Sequence, residues 1–236
     1  MVLKRTQSNK IQMELIDKTI AYVQSEMASN DSSHDWNHID RVRKLARFIA
    51  IKEGLTELQQ FEAELAALLH DIKDWKYSGS SIAGEQAARE FLEQNQVDPE
   101  IITVISYVVA HIGFSKELTG LKAQSNLHMD QVLAVVQDAD RLDALGAIGI
   151  ARALTFGGAQ NRILYDPNLP PRDHFTEKEY KYGQSTTINH FYEKLLKLPA
   201  MMKTATGRQI AEKRGKFMED YIEQFQMEWQ GKDFTF

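Results

Sequence analysis

Hydrophobic residues recur at intervals of three and four along most of the chain, which is the spacing of a helix face packed on a core. No segment shows sustained alternation of apolar and polar residues, and the neighbours of the apolar run Val132–Val136 continue at the helical period. We therefore predict an all-α fold. The expected helices cover about residues 10–28, 35–53, 56–72, 80–95, 99–112, 128–155 and 185–229, with breaks near Leu142 and Pro199.

Turn formers and capping residues support several of these boundaries. Gly54 follows the second helix, where a glycine commonly ends a helix. Thr56 and Gln59 have the spacing of a capping box at the start of the third helix. Asp98 precedes Pro99, which places a capping side chain before a proline at the first helical position.

A long loop is predicted over residues 157–176, because three of the five prolines fall within residues 166–171. Loops of this length often serve as substrate lids. A mobile surface loop without a function explains the same composition equally well, so both interpretations stay open.

Composition narrows the chemistry that the chain can support. The 236 residues include no cysteine, which excludes disulfides, thiolate metal sites and cysteine nucleophiles. It also fits a reducing compartment, so we expect a cytoplasmic protein. The net charge of -5 argues against general nucleic-acid binding, and the apolar runs are too short to span a bilayer. Any metal must be bound by nitrogen and oxygen atoms.

Metal-competent side chains occur on three apolar helices. The pair His70-Asp71 ends a strongly apolar helix, where a carboxylate without a partner would cost several kcal/mol and so needs a cation or an arginine. His38 lies four residues before Val42 and shares its buried stripe. Asp140 also follows apolar residues on an inward face. Each has a structural explanation alone, but one shared divalent cation explains all of them together.

These residues resemble the metal-binding set of the HD superfamily of metal-dependent phosphohydrolases, which is named for the doublet seen here as His70-Asp71. The resemblance covers most of the chain and is strongest to short bacterial HD proteins that hydrolyse nucleotides. The segments that carry it are His34-Asp-Trp36, His70-Asp-Ile72, Asp138-Ala-Asp-Arg-Leu-Asp-Ala144 and His190-Phe-Tyr-Glu-Lys-Leu-Leu-Lys-Leu198. It implies one compact helical HD domain over residues 1–236, with a metal-binding core at about 20–155 and a helical extension at about 180–230.

The resemblance also implies a ligand set for a divalent ion, which can be manganese, magnesium, cobalt, zinc or iron. Register with Val42 favours His38 over His34, which lies one turn earlier. The match to Asp-Arg-Leu favours Asp140 over Asp138. The positions implied as ligands are His38, His70, Asp71 and Asp140.

Further roles follow from proximity to these ligands. Asp74 lies one turn after Asp71 and is a candidate to orient or deprotonate the attacking water, or else a solvated helix-end residue. Arg41 and Lys73 are candidates to neutralise substrate phosphates. His111 ends an apolar run and is a candidate to contact phosphate or protonate the leaving group, although a structural histidine fits as well.

The expected substrate is a small phosphorylated molecule, with a nucleoside triphosphate cleaved to monophosphate and pyrophosphate as the leading reaction. The alternatives are a guanosine tetraphosphate hydrolase, a nucleotidase, a cyclic-nucleotide phosphodiesterase and a non-catalytic nucleotide sensor. Guanosine tetraphosphate hydrolases carry an acidic pair shortly after their doublet, where this chain has Lys73-Asp74, which weakens that assignment. We expect no membrane partner, and a homodimer stays open.

Overall fold

The computed structural model describes residues 2–28, 35–72, 82–113, 125–172, 183 and 185–234, with side chains from residue 10 onward. Regular structure in these residues is helical, and no strand occurs among them, which confirms the all-α prediction. In chain order the helices are α1 (Val2–Glu26), α2 (Trp36–Lys52), α3 (Glu57–Leu69), α4 (Ala83–Gln94), α5 (Pro99–His111), α6 (Leu127–Asp143), α7 (Gly146–Ala159), α8 (Thr187–Glu193), a 3-10 helix (Leu195–Met201) and α9 (Ala205–Trp229).

The helix starts follow the predicted capping signals. The Thr56 side chain accepts a hydrogen bond from the Gln59 backbone, and the Gln59 side chain accepts one from the Thr56 backbone, which completes the capping box of α3. Asp98 accepts from the backbone of Glu100, with Pro99 at the first position of α5. These local bonds satisfy amide groups that a helix start leaves without partners.

One predicted helix is shorter than expected, and the two long predicted helices contain the breaks that the sequence indicated near Leu142 and Pro199. The third helix ends at Leu69, before the predicted end at residue 72. The helix predicted over 128–155 is divided into α6 and α7, which meet at an angle of 72°. Gly146 lies at this break with a φ of 71°, a backbone conformation that favours glycine. The predicted helix over 185–229 becomes α8, the 3-10 helix that contains Pro199, and α9.

The core forms where α2, α3 and α6 pack against one another, with α5 against α3 and α6. Its apolar side chains are fully buried, as a tightly packed interior requires. Ile39 and Ile49 belong to α2, Leu65 and Leu68 to α3, and Leu142 to α6. Helices α2, α3 and α6 are therefore the fixed elements beside which the candidate metal ligands lie.

The first three residues of the loop predicted over 157–176 belong to α7, which ends at Ala159, and the part after them is described as far as residue 172. The Asn189 side chain donates to the Leu169 carbonyl at 2.8 Å. The Arg172 guanidinium donates to the buried Glu193 carboxylate at 2.9 and 2.6 Å. The loop is therefore held against α8 at Leu169 and Arg172.

Among the described residues, no single helix is long and apolar enough to cross a membrane, although the bent pair α6 and α7 passes that test when counted together.

Candidate metal centre

His38 enters the centre from the first turn of α2. Asp35 caps this helix by accepting a hydrogen bond from the His38 backbone at 3.1 Å, which fixes the turn that carries the ring. The side chain of His38 is 1% exposed. Its Nε2 atom lies 3.8 Å from Asp71 Oδ2 and 3.5 Å from Asp140 Oδ1.

His70 and Asp71 follow the last residue of α3. His70 Nδ1 lies 2.8 Å from the Ala67 carbonyl, which can only accept, so in the neutral ring Nδ1 carries the proton and Nε2 keeps its lone pair. The Nε2 atom is buried and has no hydrogen-bond partner among the residues that the structure describes. A buried polar atom without a partner is costly, and a metal ion is one way to satisfy it.

Asp140 approaches the two histidines from α6, although the group of mutually close ligand atoms consists of His38, His70 and Asp71. Its Oδ1 atom lies 3.8 Å from His70 Nε2, and its side chain is 37% exposed, so the cluster is open to solvent on this side. One ligand atom each from His38, His70 and Asp71 lies within 4.8 Å of the others. Ligands about 2.1 Å from one ion at a tetrahedral angle lie about 3.4 Å apart, so small adjustments would let these atoms share an ion.

The charges at this centre favour a positive species. Burial of the His70 ring opposes protonation, but Asp140 and Asp71 outweigh it and raise its pKa to about 9. Burial alone would raise the pKa of Asp140, yet the two histidine rings and Arg152 hold it well below its usual range. A proton on His70 or a metal ion can supply the charge that these carboxylates attract, and a metal must displace that proton to bind.

Behind His38 lies the buried carboxylate of Asp143. Asp143 Oδ2 is 2.8 Å from His38 Nδ1, and Arg41 donates to both Asp143 oxygens at 2.7 and 3.0 Å. Arg152 Nη1 lies 3.1 Å from Asp143 Oδ2. Burial opposes ionisation of Asp143, but His38 and Arg41 lower its pKa to about 2. The pKa of His38 is lowered by burial, which the bond to Asp143 only partly opposes.

The structure separates the two aspartates that were alternatives as ligands. Asp138 is fully buried and accepts hydrogen bonds from the backbone amides of Lys203 and Thr204 and from the Thr204 hydroxyl, at 2.7 to 2.9 Å. It therefore holds the start of α9, whereas Asp140 lies against the two histidines. The other alternative, His34, lies outside the described residues.

The remaining candidates are placed differently from one another. Arg41 contacts the centre through Asp143, and its role in binding phosphate stays a prediction. His111 Nδ1 lies 2.7 Å from the Tyr107 carbonyl and the ring stacks on Tyr107, so these side-chain contacts are within α5. Its role toward substrate stays a prediction as well. Lys73 and Asp74 lie outside the described residues.

Sequence reasoning missed Asp143 and Arg152 as neighbours of the centre. For Asp143 a signal existed, because residues three apart on a helix share a face and Asp140 was already assigned to the site. For Arg152 no comparable signal existed, since it lies on α7, beyond the 72° bend after α6. Its approach to Asp143 depends on that bend, which periodicity does not specify.

Comparison with known proteins gives consistent similarities. The model of the HD domain family matches residues 35–145. The protein YpgQ of Bacillus subtilis is 34% identical over 212 residues, which cover 90% of this chain and 92% of YpgQ. The match to the family model thus includes the four proposed ligands and Asp143.

Solved structures resemble this chain over nearly its whole length. An HD-superfamily hydrolase from Bacillus thuringiensis is 40% identical with a TM-score of 0.69, covering 93% of this chain and 98% of its own. A protein from Lactobacillus plantarum is 37% identical with a TM-score of 0.79, covering 92% and 97%. YpgQ in complex with ADP is 32% identical with a TM-score of 0.69, covering 92% and 96%.

Proposed function

Because the chain belongs to the HD superfamily of metal-dependent phosphohydrolases, we propose that His38, His70, Asp71 and Asp140 bind one divalent cation and that the enzyme hydrolyses a phosphate ester or anhydride of a small nucleotide. The observation that carries the proposal is the buried Nε2 atom of His70, which has no hydrogen-bond partner among the described residues: ligand atoms of His38, His70 and Asp71 lie within 4.8 Å of one another, and Asp140 Oδ1 lies 3.8 Å from this Nε2. Because no hydrogen bond from the described residues occupies this atom, it is available to a ligand.

The donor set fits a borderline or hard divalent ion. Two imidazole nitrogens and two carboxylates suit manganese, magnesium, cobalt, zinc or iron, and they leave coordination positions for water and substrate. The exposed side of Asp140 gives access to those positions. The screen with defined metals described below tests which of these ions supports activity.

Catalysis then divides between the ion and the protein. A divalent cation bound here supplies Lewis acidity, which polarises a phosphoryl oxygen and lowers the pKa of a water molecule. The chain holds the two imidazoles in fixed orientations, through Asp143 for His38 and through the Ala67 carbonyl for His70. The helices behind them exclude water, which strengthens charge interactions with a phosphate.

We assign the further steps to residues outside the metal-ligand set. Arg41 is held beside it and would attract the negative charge of a phosphate chain. We assign Asp74 to orienting or deprotonating the attacking water, Lys73 to neutralising phosphate and His111 to phosphate contact or protonation of the leaving group. Each assignment is testable by single substitution.

The nucleotide class is supported by the relative YpgQ, which has been crystallised with ADP. Since that relative matches this chain over nearly its full length, we extend nucleotide binding to this protein. Cleavage of a nucleoside triphosphate to monophosphate and pyrophosphate is the leading reaction. Guanosine tetraphosphate hydrolysis, nucleotidase and cyclic-nucleotide phosphodiesterase activities, and nucleotide sensing without turnover, are the other outcomes of the test.

A nucleotide screen with defined metals tests the proposal. Metal-free protein is supplied with manganese, cobalt, magnesium or zinc and incubated with nucleoside triphosphates, monophosphates, cyclic nucleotides and guanosine tetraphosphate. Chromatography identifies whether pyrophosphate or phosphate is released. We expect Asp71→Ala to remove turnover while circular dichroism shows a folded protein. Nucleotide binding without turnover under every metal would identify a sensor, and absence of both would overturn the proposal.

A cytoplasmic location, a homodimer and a single domain over residues 1–236 stay predictions. Sedimentation and limited proteolysis of the purified protein check the latter two.

A further inference from the structure

One carboxylate next to the centre has contacts that a ligand role does not explain. Asp143 is 2% exposed and bonds the far nitrogen of His38, the one that points away from the candidate ion. It also binds two guanidinium groups, one from Arg41 on α2 and one from Arg152 on α7. Three basic side chains therefore meet at one buried carboxylate.

We propose that Asp143 is the positioning residue of the metal centre: it fixes the His38 ring with Nε2 toward Asp71 and Asp140. This inference rests on the proposed function, because it concerns the same site. A carboxylate accepts a hydrogen bond from Nδ1–H, so it selects the tautomer whose Nε2 lone pair is available to an ion. Partners of this kind also set the orientation of a ligating imidazole and raise its basicity.

The arginines explain how Asp143 can do this while buried. A buried carboxylate requires compensation of its charge. Arg41 and Arg152 provide that compensation at 2.7 to 3.1 Å. The contact between Asp143 and His38 Nδ1 at 2.8 Å is therefore left to orient the ring.

The helix couples the positioning group to a ligand. Asp140 and Asp143 are three residues apart on α6, so they lie on neighbouring turns of one face. Asp140 approaches His38 Nε2 at 3.5 Å while Asp143 contacts Nδ1 at 2.8 Å. Both nitrogens of the ring thus face carboxylates from one rigid element, and the ring cannot turn without losing one of them.

The competing account is that Asp143 only joins α2, α6 and α7 by a buried ion pair. Metal affinity separates the two accounts when it is measured beside stability. The variants are Asp143→Asn, which keeps the size and one acceptor oxygen, and Asp143→Ala, which removes the acceptor. The control is Asp138→Asn, which alters another buried aspartate on the same helix whose bonds go to Lys203 and Thr204 instead.

Calorimetric titration of metal-free protein with Mn²⁺ measures the affinity, and thermal unfolding measures the stability of each variant. We expect Asp143→Asn to weaken Mn²⁺ binding about tenfold and Asp143→Ala up to about 100-fold. Asp138→Asn should lower the unfolding temperature and leave the affinity of the folded protein unchanged. Long-range ¹H–¹⁵N spectra should show Nδ1 of His38 protonated in the wild type and a changed tautomer population in Asp143→Ala.

Because Asp143→Ala can unfold, Asp143→Asn is the decisive variant. Mn²⁺ affinity equal to wild type in Asp143→Asn overturns the inference, and so does an equal loss of affinity in Asp138→Asn. The measurement needs no substrate, so it is independent of the proposed reaction. A wild type that binds Mn²⁺ but turns over no nucleotide would defeat the function alone, and active Asp143 variants with normal affinity would defeat the inference alone.

Discussion

Two aspartates two residues apart on α6 should respond to the same substitution in opposite ways. Asp138→Asn should destabilise the fold and spare metal binding, whereas Asp140→Asn should abolish metal binding and spare the fold. Asp138 accepts bonds on both oxygens: the Lys203 amide reaches Oδ1 at 2.9 Å and Oδ2 at 3.1 Å, and the Thr204 amide and hydroxyl donate to Oδ2. An amide nitrogen at Oδ2 removes the acceptor of the Thr204 amide, and one at Oδ1 leaves the Lys203 amide only its longer bond and faces it with a second donor.

The size of the effect follows from these contacts. Hydrogen bonds to a charged group contribute about 1.5–3 kcal/mol each, and a buried donor without a partner costs about 1–3 kcal/mol. We therefore expect Asp138→Asn to lower the free energy of unfolding by about 3 kcal/mol. For a chain of this length that corresponds to a fall of about 6–12 °C in Tm. Asp140 is 37% exposed, so solvent screens its attraction to the two histidines, and we expect its substitution to lower the stability of the metal-free protein less than Asp138→Asn does.

Thermal unfolding in chelator and again with excess Mn²⁺ provides the assay. Mn²⁺ at about 100 times its Kd should stabilise the wild type and Asp138→Asn by about 2.7 kcal/mol. Asp140→Asn should gain almost nothing at that concentration. If Asp138→Asn lost the Mn²⁺ stabilisation while Asp140→Asn kept it, Asp138 would be the ligand and our assignment on α6 would be reversed.

Three further predictions concern the scaffold. Thr56→Ala removes the capping box of α3 and should lower Tm by about 2–4 °C in thermal unfolding, because such a cap contributes about 1 kcal/mol. Gly157→Ala would place a Cβ 2.2 Å from Thr187 Oγ1, so urea unfolding should show a loss of about 1–3 kcal/mol. Burial opposes ionisation of Glu193, but the interaction with Arg172 is stronger and lowers the pKa of this carboxyl below the ordinary 4.5. Ionised Glu193 therefore stabilises the fold fully at pH values above 4.5. That contribution is lost as pH falls through the lowered pKa, and the stability difference from Glu193→Gln should shrink over the same range in urea titrations.

Much of the helical fold was predictable because local signals and periodicity agree. The capping box at Thr56 and the Asp98-Pro99 start were each readable from residues a few positions apart. The 72° bend between α6 and α7 was located only near Leu142, two residues before the observed break, because chain direction depends on distant packing. Arg152 reaches Asp143 across that bend, so its contact was beyond a sequence argument.

The three aspartates of α6 show what periodicity can and cannot decide. At about 100° per residue, Asp140 points about 200° from Asp138, while Asp143 points only about 60° from Asp140. The sequence therefore places Asp140 and Asp143 together and Asp138 opposite. Burial does not show which side of α6 faces the histidines, because Asp138 on one side and Asp143 on the other are both buried. One side meets α9 and the other meets α2, so only the packing of those helices distinguishes a structural carboxylate from one that belongs to the metal centre.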